Sequence, residues 1–293
     1  MTVQDLEGAA GVDLAADLPP ASMHARRRPF TGWRRLLLGL SLPALLITVW
    51  SLAAASGVLS SRLLPAPVDI VTSARDFVFA ERRTTIPGIV PFRGSAADHV
   101  TASLARWMVA YLIAVAVGLP LGMGLGLSRW VSAAVDPLFQ ALRSIPITAW
   151  LPIALVWFGL GEGAARYLVF VGAVSPIVVA TADATARVPR ALVDTARMLG
   201  TPRRDLARRV YLPAALPGIV TGLRLGLTLG WTSLIVGELT GTNRGLGAMM
   251  FAAREVGRLD QIIVGMVAFA VIGFAADFVL RSAARPFVRW ADA

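Results

Sequence analysis

DTARMLGTPRRDLARRVYLP, residues Asp194 to Pro213, lies in a polar loop, Ala182 to Pro213, between two apolar runs. Its local signals describe two short helices and a turn. Asp194 to Leu199 is free of helix breakers, and Gly200 follows as a helix-ending residue with an expected positive φ. Thr201 is predicted as an N-cap, and Pro202 at the first helical position, where a missing N–H costs nothing. A second helix is expected from about Arg203 to Val210, ended by Leu212-Pro213. Arg203, Arg204, Arg208 and Arg209 stud it, while Leu206 and Val210, four apart, give one apolar stripe. A helix–turn–helix fixed to two spans is suited to docking into a groove of another protein. A basic loop that merely obeys the positive-inside rule would carry the same arginines.

The surrounding composition is that of a polytopic membrane protein. The chain has 293 residues, 56% hydrophobic and 16% charged, with a mean hydropathy of +0.67, against about 25% charged in soluble domains. There is no cysteine, which excludes disulfides and thiolate metal sites. His24 and His99 are far apart and read as polar flanking residues rather than a metal pair. All 28 basic residues are arginine. Without lysine the chain cannot carry a P-loop, so any P-loop ATP hydrolysis must come from another subunit. The net charge of +10 is better explained by arginines flanking spans than by a nucleic-acid surface.

Six spans are predicted. Residues 1–34 read as a cytoplasmic tail, acidic first and ending in Arg26-Arg27-Arg28. Residues 35–59 are the first span, with Leu36 to Val58 as its apolar run. A cleaved signal peptide is the competing reading there, but the n-region and the apolar run are both too long. Residues 60–99 form an external segment with a surface helix from Val68 to Phe79. Residues 100–285 form a core of five spans that includes the 182–213 loop, and 286–293 a second tail. Within the core, Met108 to Leu127 is uncharged after an amphipathic lead-in from Thr101. Gly118, Gly122, Gly124 and Gly126 give it small faces for close packing. Val131 to Leu160 is the next candidate, interrupted by Pro146 and Pro152, as in a broken helix that exposes carbonyls to a pathway. Tyr167 to Ala182 follows, then the long loop. Ala214 to Gly237 is the fifth span, with Arg224 inside and Glu238 at its outer end. Leu239 to Gln261 is external with a short helix, and Ile262 to Leu280 is the sixth span, carrying Asp277. Arginine placement puts both termini and the long loop in the cytoplasm. The Ser60–His99 segment, which also carries several arginines, runs against that asymmetry.

The spacing of the central stretch resembles the EAA loop of ABC-importer permeases: Glu-Ala-Ala, three residues, Gly, nine residues, Ile, one residue, Leu-Pro. Ala196, Gly200, Leu212 and Pro213 match it, while Asp194, Thr195 and Val210 stand for Glu, Ala and Ile. The likeness extends from about Leu63 to Arg281. Leu64-Pro65-Ala66-Pro67, SIPITAWLPIALVWFGLGEGA from Ser144, and GLRLGLTLGWTSLIVGEL from Gly222 are similar to stretches of permeases in the nitrate/sulfonate/taurine group. Gly245-Leu246-Gly247 resembles a short stretch that follows. The insertion around Ala80 to Ala97 and the acidic N-terminal tail depart from the pattern.

The resemblance implies an all-α type I ABC-importer permease fold in a bacterial inner membrane. It implies that Asp194, Thr195, Ala196, Gly200, Arg203, Arg204, Val210, Leu212 and Pro213 form the loop that receives the stroke of a separate ATPase. Two ATPase subunits would bind ATP and Mg, a second permease copy would complete a homodimer, and an extracytoplasmic binding protein would deliver the ligand. No cofactor is expected in this chain, and no enzymatic activity. Pro146, Arg224, Trp231, Ser233 and Glu238 are the candidate pathway residues, with Arg224 either structural or in the pathway. The substrate implied is a small anion, a sulfonate such as taurine or, second, nitrate. A thiamine-precursor-like pyrimidine is the alternative within the family. A proton-coupled secondary transporter would rely on intramembrane acids, and only Asp277, near a span end, offers one.

Overall fold

A computed structural model describes residues 32–57, 63–80, 95–239 and 241–288. The acidic tail, residues 81–94 of the insertion and Arg289 lie outside the described residues. The chain divides into two units, Met1–Trp50 and Ser51–Ala293. Helix α1, Gly32–Ala55, begins in the first and is interrupted by no break at Pro43. The second holds α2 (Pro67–Phe79), α3 (Ala96–Leu127), α4 (Arg129–Arg143), a 3₁₀ turn (Ile147–Trp150), α5 (Leu151–Phe158) and α6 (Glu162–Ala186). It continues with α7 (Arg190–Met198), α8 (Arg203–Leu206), a π-turn (Ala207–Tyr211), α9 (Leu212–Glu238), α10 (Leu246–Glu255) and α11 (Leu259–Val288). No strand occurs among the described residues.

By length and apolarity, α3, α6, Ala207–Glu238 and α11 can each cross a membrane. Helices α4 and α5 pass the same test together, but are bent by 94° at the break between them. In α1 the stretch Ser41–Ala55 is apolar but short, although the whole helix of 24 residues would extend ~36 Å at 1.5 Å per residue. Four spans, or five with the bent pair, are therefore visible among the described residues.

Helix α6 is the centre of the second unit because its neighbours come to it without side chains. Gly118, Gly122 and Gly126 of α3 lie against Ile177, Thr181 and Thr185. Gly218, Gly222, Gly226 and Gly230 of α9 lie against Ala184, Ala180, Ile177 and Ala173. Both ladders repeat every four residues, which keeps them on one helix face. A Cβ on Gly122 or Gly222 would stand 2.6 Å from the Val178 carbonyl oxygen or the Ala180 Cβ. Apolar lipid gives no hydrophobic drive for association, so this close approach supplies dispersion contact instead. Replacing Gly222 with leucine should therefore separate α6 from α9. Purified protein in detergent should melt earlier and aggregate, and an unchanged melting curve would refute the ladder's role. An aromatic cluster ties α3 and α11 to the same core. Trp231 stacks on Phe269 at 4.4 Å between ring centroids, meets Trp107 edge-on at 5.4 Å, and donates to the Phe269 carbonyl at 3.1 Å.

Several sequence expectations are corrected. The lead-in from Thr101 is no separate piece: α3 runs unbroken from Ala96. Of the two prolines expected to interrupt the third span, Pro152 interrupts nothing. It sits in the first turn of α5, where its absent N–H would have been unpaired anyway. The bend falls at Ser144–Pro146, because the residue before a proline is driven out of the helical region. Helix α6 reaches Ala186, so the first residues of the long loop belong to it. Thr201 is not the N-cap of the second loop helix. Pro202 holds that place, with an extended ψ of 150° and its carbonyl accepting from Asp205 and Leu206. Nor does Leu212-Pro213 end that helix. The Leu212 N–H bonds five residues back, to Ala207, and this wider turn admits the Pro213 ring without a break.

Candidate functional site

The loop between α6 and α9 is a rigid bracket with an exposed corner. Helix α7 ends in a Schellman turn: Gly200 has φ +79°, its N–H donates to Arg197 at 2.9 Å, and Thr201 N–H donates to Ala196 at 3.1 Å. This turn projects Met198 and Leu199, 87% and 81% exposed, beside the exposed Asp194, Thr195 and Gly200. The opposite side is anchored. Val193 and Val188 are buried with Ala215 and Ile219 of α9, and Val210, Tyr211 and Leu212 pack around them. Leu206 is buried as well. The helix that carries Met198 is thereby joined to the base of α9 through packed side chains. Ion pairs Arg197–Asp194 and Arg209–Asp205 are exposed and peripheral, each worth under about 1 kcal/mol. Arg203 and Arg204 open α8.

The five candidate pathway residues do not converge. Pro146 and Ser233 line one pocket of about 300 Å³ between the α4–α5 break, α6 and α9. Arg224 makes a bidentate pair with Asp277 of α11, at 2.9 and 3.0 Å, and Arg281 joins the same carboxylate at 3.3 Å. Trp231 is buried in the aromatic core. Glu238 is buried at the far end of α9 in an ionic cluster. The Arg224–Asp277 pair joins two spans, so exchanging its ends tests its role. Arg224→Asp should lower the amount of folded protein several-fold, and adding Asp277→Arg should restore most of it. Failure of the exchange to restore folding would argue against a simple strut.

The cluster around Glu238 contains residues that the sequence reading did not single out as a site. Arg106 of α3 is buried and donates to Glu238, to Glu162 at the start of α6 (2.9 Å from Nε), and to the Arg244 carbonyl at 3.1 Å. Ser103 donates to Glu238 at 2.7 Å and accepts from Leu246 N–H at 2.9 Å. Glu238 also accepts from Gly247 N–H at 2.8 Å, and His99 Nδ1 accepts from Gly245 N–H at 3.1 Å. Gly245 has φ +135°, and a Cβ there would collide with the Glu238 carboxylate. The cluster thus fixes the Gly245–Gly247 turn onto α3, α6 and α9, at the end of the bundle opposite the Gly200 turn. Its signal was present in the sequence: His99, Ser103 and Arg106, spaced four and three apart, form a polar stripe on one helix face. No group of three or more metal-ligating side chains occurs among the described residues.

Residues 114–291 match the family described as the binding-protein-dependent transport system inner membrane component. The chain is 33% identical over 272 residues to the taurine transport system permease protein TauC of Escherichia coli, covering 92% of this chain and 95% of that one. It is 32% identical over 228 residues to the nitrate import permease protein NrtB of Leptolyngbya laminosa, covering 73% and 78%. A solved structure of the MetNI methionine ABC transporter in an inward-facing conformation superposes with a TM-score of 0.52 at 25% identity, over 63% of this chain and 94% of that one.

Proposed function

The chain belongs to the family of binding-protein-dependent transport system inner membrane components, and on that premise we propose that it is the permease of an ABC importer for a small anion, taurine or another sulfonate first and nitrate second. The observation that carries the coupling role is the Gly200 turn: an exposed apolar corner, Met198 and Leu199, on a bracket packed against α9. A groove on an ATPase subunit is the natural partner for such a corner. Two ATPase subunits, binding ATP and Mg, would act on two permease copies, and an extracytoplasmic binding protein would dock at the opposite end. The names of the taurine and nitrate relatives support an anionic substrate.

In this reading α1 is the first of six spans, both termini face the cytoplasm, and residues 100–285 form the core around the pathway. Orientation is tested in the cysteine-free chain with single cysteines at Thr201 and Asn243. An impermeant thiol reagent applied from outside should label Asn243→Cys and spare Thr201→Cys, and the reverse pattern would sink the topology. Function is tested by reconstituting the permease with its co-encoded ATPase and binding protein in proteoliposomes. Taurine should stimulate ATP hydrolysis and accumulate inside, with nitrate compared in parallel. Stimulation by a pyrimidine, with none by taurine, another sulfonate, nitrate or bicarbonate, would overturn the anion assignment and leave the permease intact.

A further inference from the structure

The pocket behind the α4–α5 break contains a cation that the bundle does not neutralise. Arg143, the last residue of α4, lines it, and no ion pair or hydrogen bond engages its side chain among the described residues. No carboxylate lines this pocket. Its depth makes the arginine informative. Gly172, on the facing wall, lies ten residues after Glu162 and fourteen before Ala186 along α6. At 1.5 Å per residue that is ~15 Å and ~21 Å from the two ends, close to the middle of a hydrocarbon core ~30 Å thick. An unpaired arginine at that depth is not stable against lipid, and such residues face a water-filled cavity or a ligand.

The remaining lining has two kinds of surface. The hydroxyls of Ser144, Thr232 and Ser233 already donate to the carbonyls of Ala141, Thr228 and Leu229. Ser175 makes no such bond among the described residues and has its donor to offer. Ile147, Trp150 and Val171 supply apolar wall. Gly172 lets α6 and α9 meet closely at this wall, since a Cβ there would overlap Ser233. One exposed, unpaired cation, one free hydroxyl and an apolar wall match a small organic anion with a charged head and a short carbon body. A cavity of about 300 Å³ is at the small end of ligand pockets.

We propose that Arg143 and Ser175 form a transient oxyanion station midway along the translocation pathway, with Ile147 and Trp150 against the carbon body of the substrate, so that the permease selects charge independently of the binding protein. The proposal rests on the permease reading above. A single cation without a second charged partner suits such a station, because conduction requires a site that releases as readily as it captures.

The test uses the reconstituted complex of permease, ATPase and binding protein, with taurine and nitrate as probes. Arg143→Gln should reduce uptake of both oxyanion-bearing probes at least tenfold, while ATP hydrolysis stimulated by the taurine-loaded binding protein stays within twofold of the parent. Arg143→Lys should restore most of the uptake, since it keeps the charge. Undiminished uptake by Arg143→Gln overturns the proposal. So does a parallel loss of uptake and stimulated hydrolysis, which would make Arg143 a structural residue. Arg143→Cys gives a second readout in the cysteine-free chain: a water-soluble thiol reagent should label it, and taurine with the loaded binding protein should slow the labelling. Absence of labelling overturns the station. If the parent complex moves a pyrimidine and no anion, the substrate reading fails before any variant is compared. If the parent moves anions and Arg143→Gln moves them equally well, only the station fails.

Discussion

Arg106→Met should destabilise the folded protein by about 3–5 kcal/mol, the usual cost of removing one partner of a buried ion pair. Glu238 is 1% exposed, and without Arg106 its charge would face only Ser103 and the Gly247 N–H. In detergent the variant should melt far below the parent or fail to accumulate in the membrane. Glu238→Gln should cost less, because a neutral amide can still accept from Ser103 and Gly247 while Arg106 keeps Glu162. Glu162→Gln should cost least. The Glu162 side chain is 54% exposed, so water can take over part of its role while Arg106 keeps Glu238. Combining Arg106→Met with Glu238→Gln should recover part of the loss, since the orphaned charge disappears with its partner. Equal losses for Glu162→Gln and Arg106→Met, or a neutral Arg106→Met, would show that burial of the pair does not control stability.

The same cluster shows why part of the site was hidden in the sequence. Arg106 precedes the uncharged run Met108–Leu127, and its place in the chain suggests a residue at the edge of a span. Helix α3 in fact begins at Ala96, so Arg106 is two turns and more inside it, facing its neighbours. Charge counting follows position along the chain, whereas partnership follows the face of the helix. Helix α9 repeats the lesson. Arg224, Trp231 and Glu238 are seven residues apart, nearly two full turns each, and that face is occupied by Asp277, Phe269 and Arg106. Ser233, nine residues from Arg224, is about half a turn round the helix and faces the pocket. A linear resemblance grouped the four, and the helical period sets Ser233 apart from the other three. The glycine ladder of α9 could have been read from its fourfold spacing, while the π-turn that carries the chain past Pro213 could not, since it depends on how the loop packs beneath α9. The Gly200 turn was legible because its cause is local: no residue with a Cβ takes a positive φ without cost.

That local cause makes Gly200→Val the most direct test of coupling. A Cβ on Gly200 would meet nothing within 4 Å, so the substitution creates no clash and its cost is conformational. Holding an L-residue at φ +79° costs about 1–2 kcal/mol, and a β-branched side chain adds to it. The spans, the glycine ladders and the ionic cluster are untouched, so membrane insertion and protein level should match the parent. The strain can be relieved by opening the bonds from Gly200 to Arg197 and from Thr201 to Ala196, which moves Met198 and Leu199 off the corner that α7 presents. A change of 1–2 kcal/mol shifts such an equilibrium by a factor of about 5–30, and uptake by the reconstituted complex should fall by a similar factor, together with binding of the ATPase subunit. Gly200→Asn supplies the control. Asparagine tolerates the left-handed region, so it should retain most of the uptake although it is no smaller than a valine by any useful margin. If both variants lose uptake equally, the defect is steric rather than conformational. If Gly200→Val transports normally at normal abundance, the turn does not carry the stroke, and the exposed corner at Met198 and Leu199 needs another purpose.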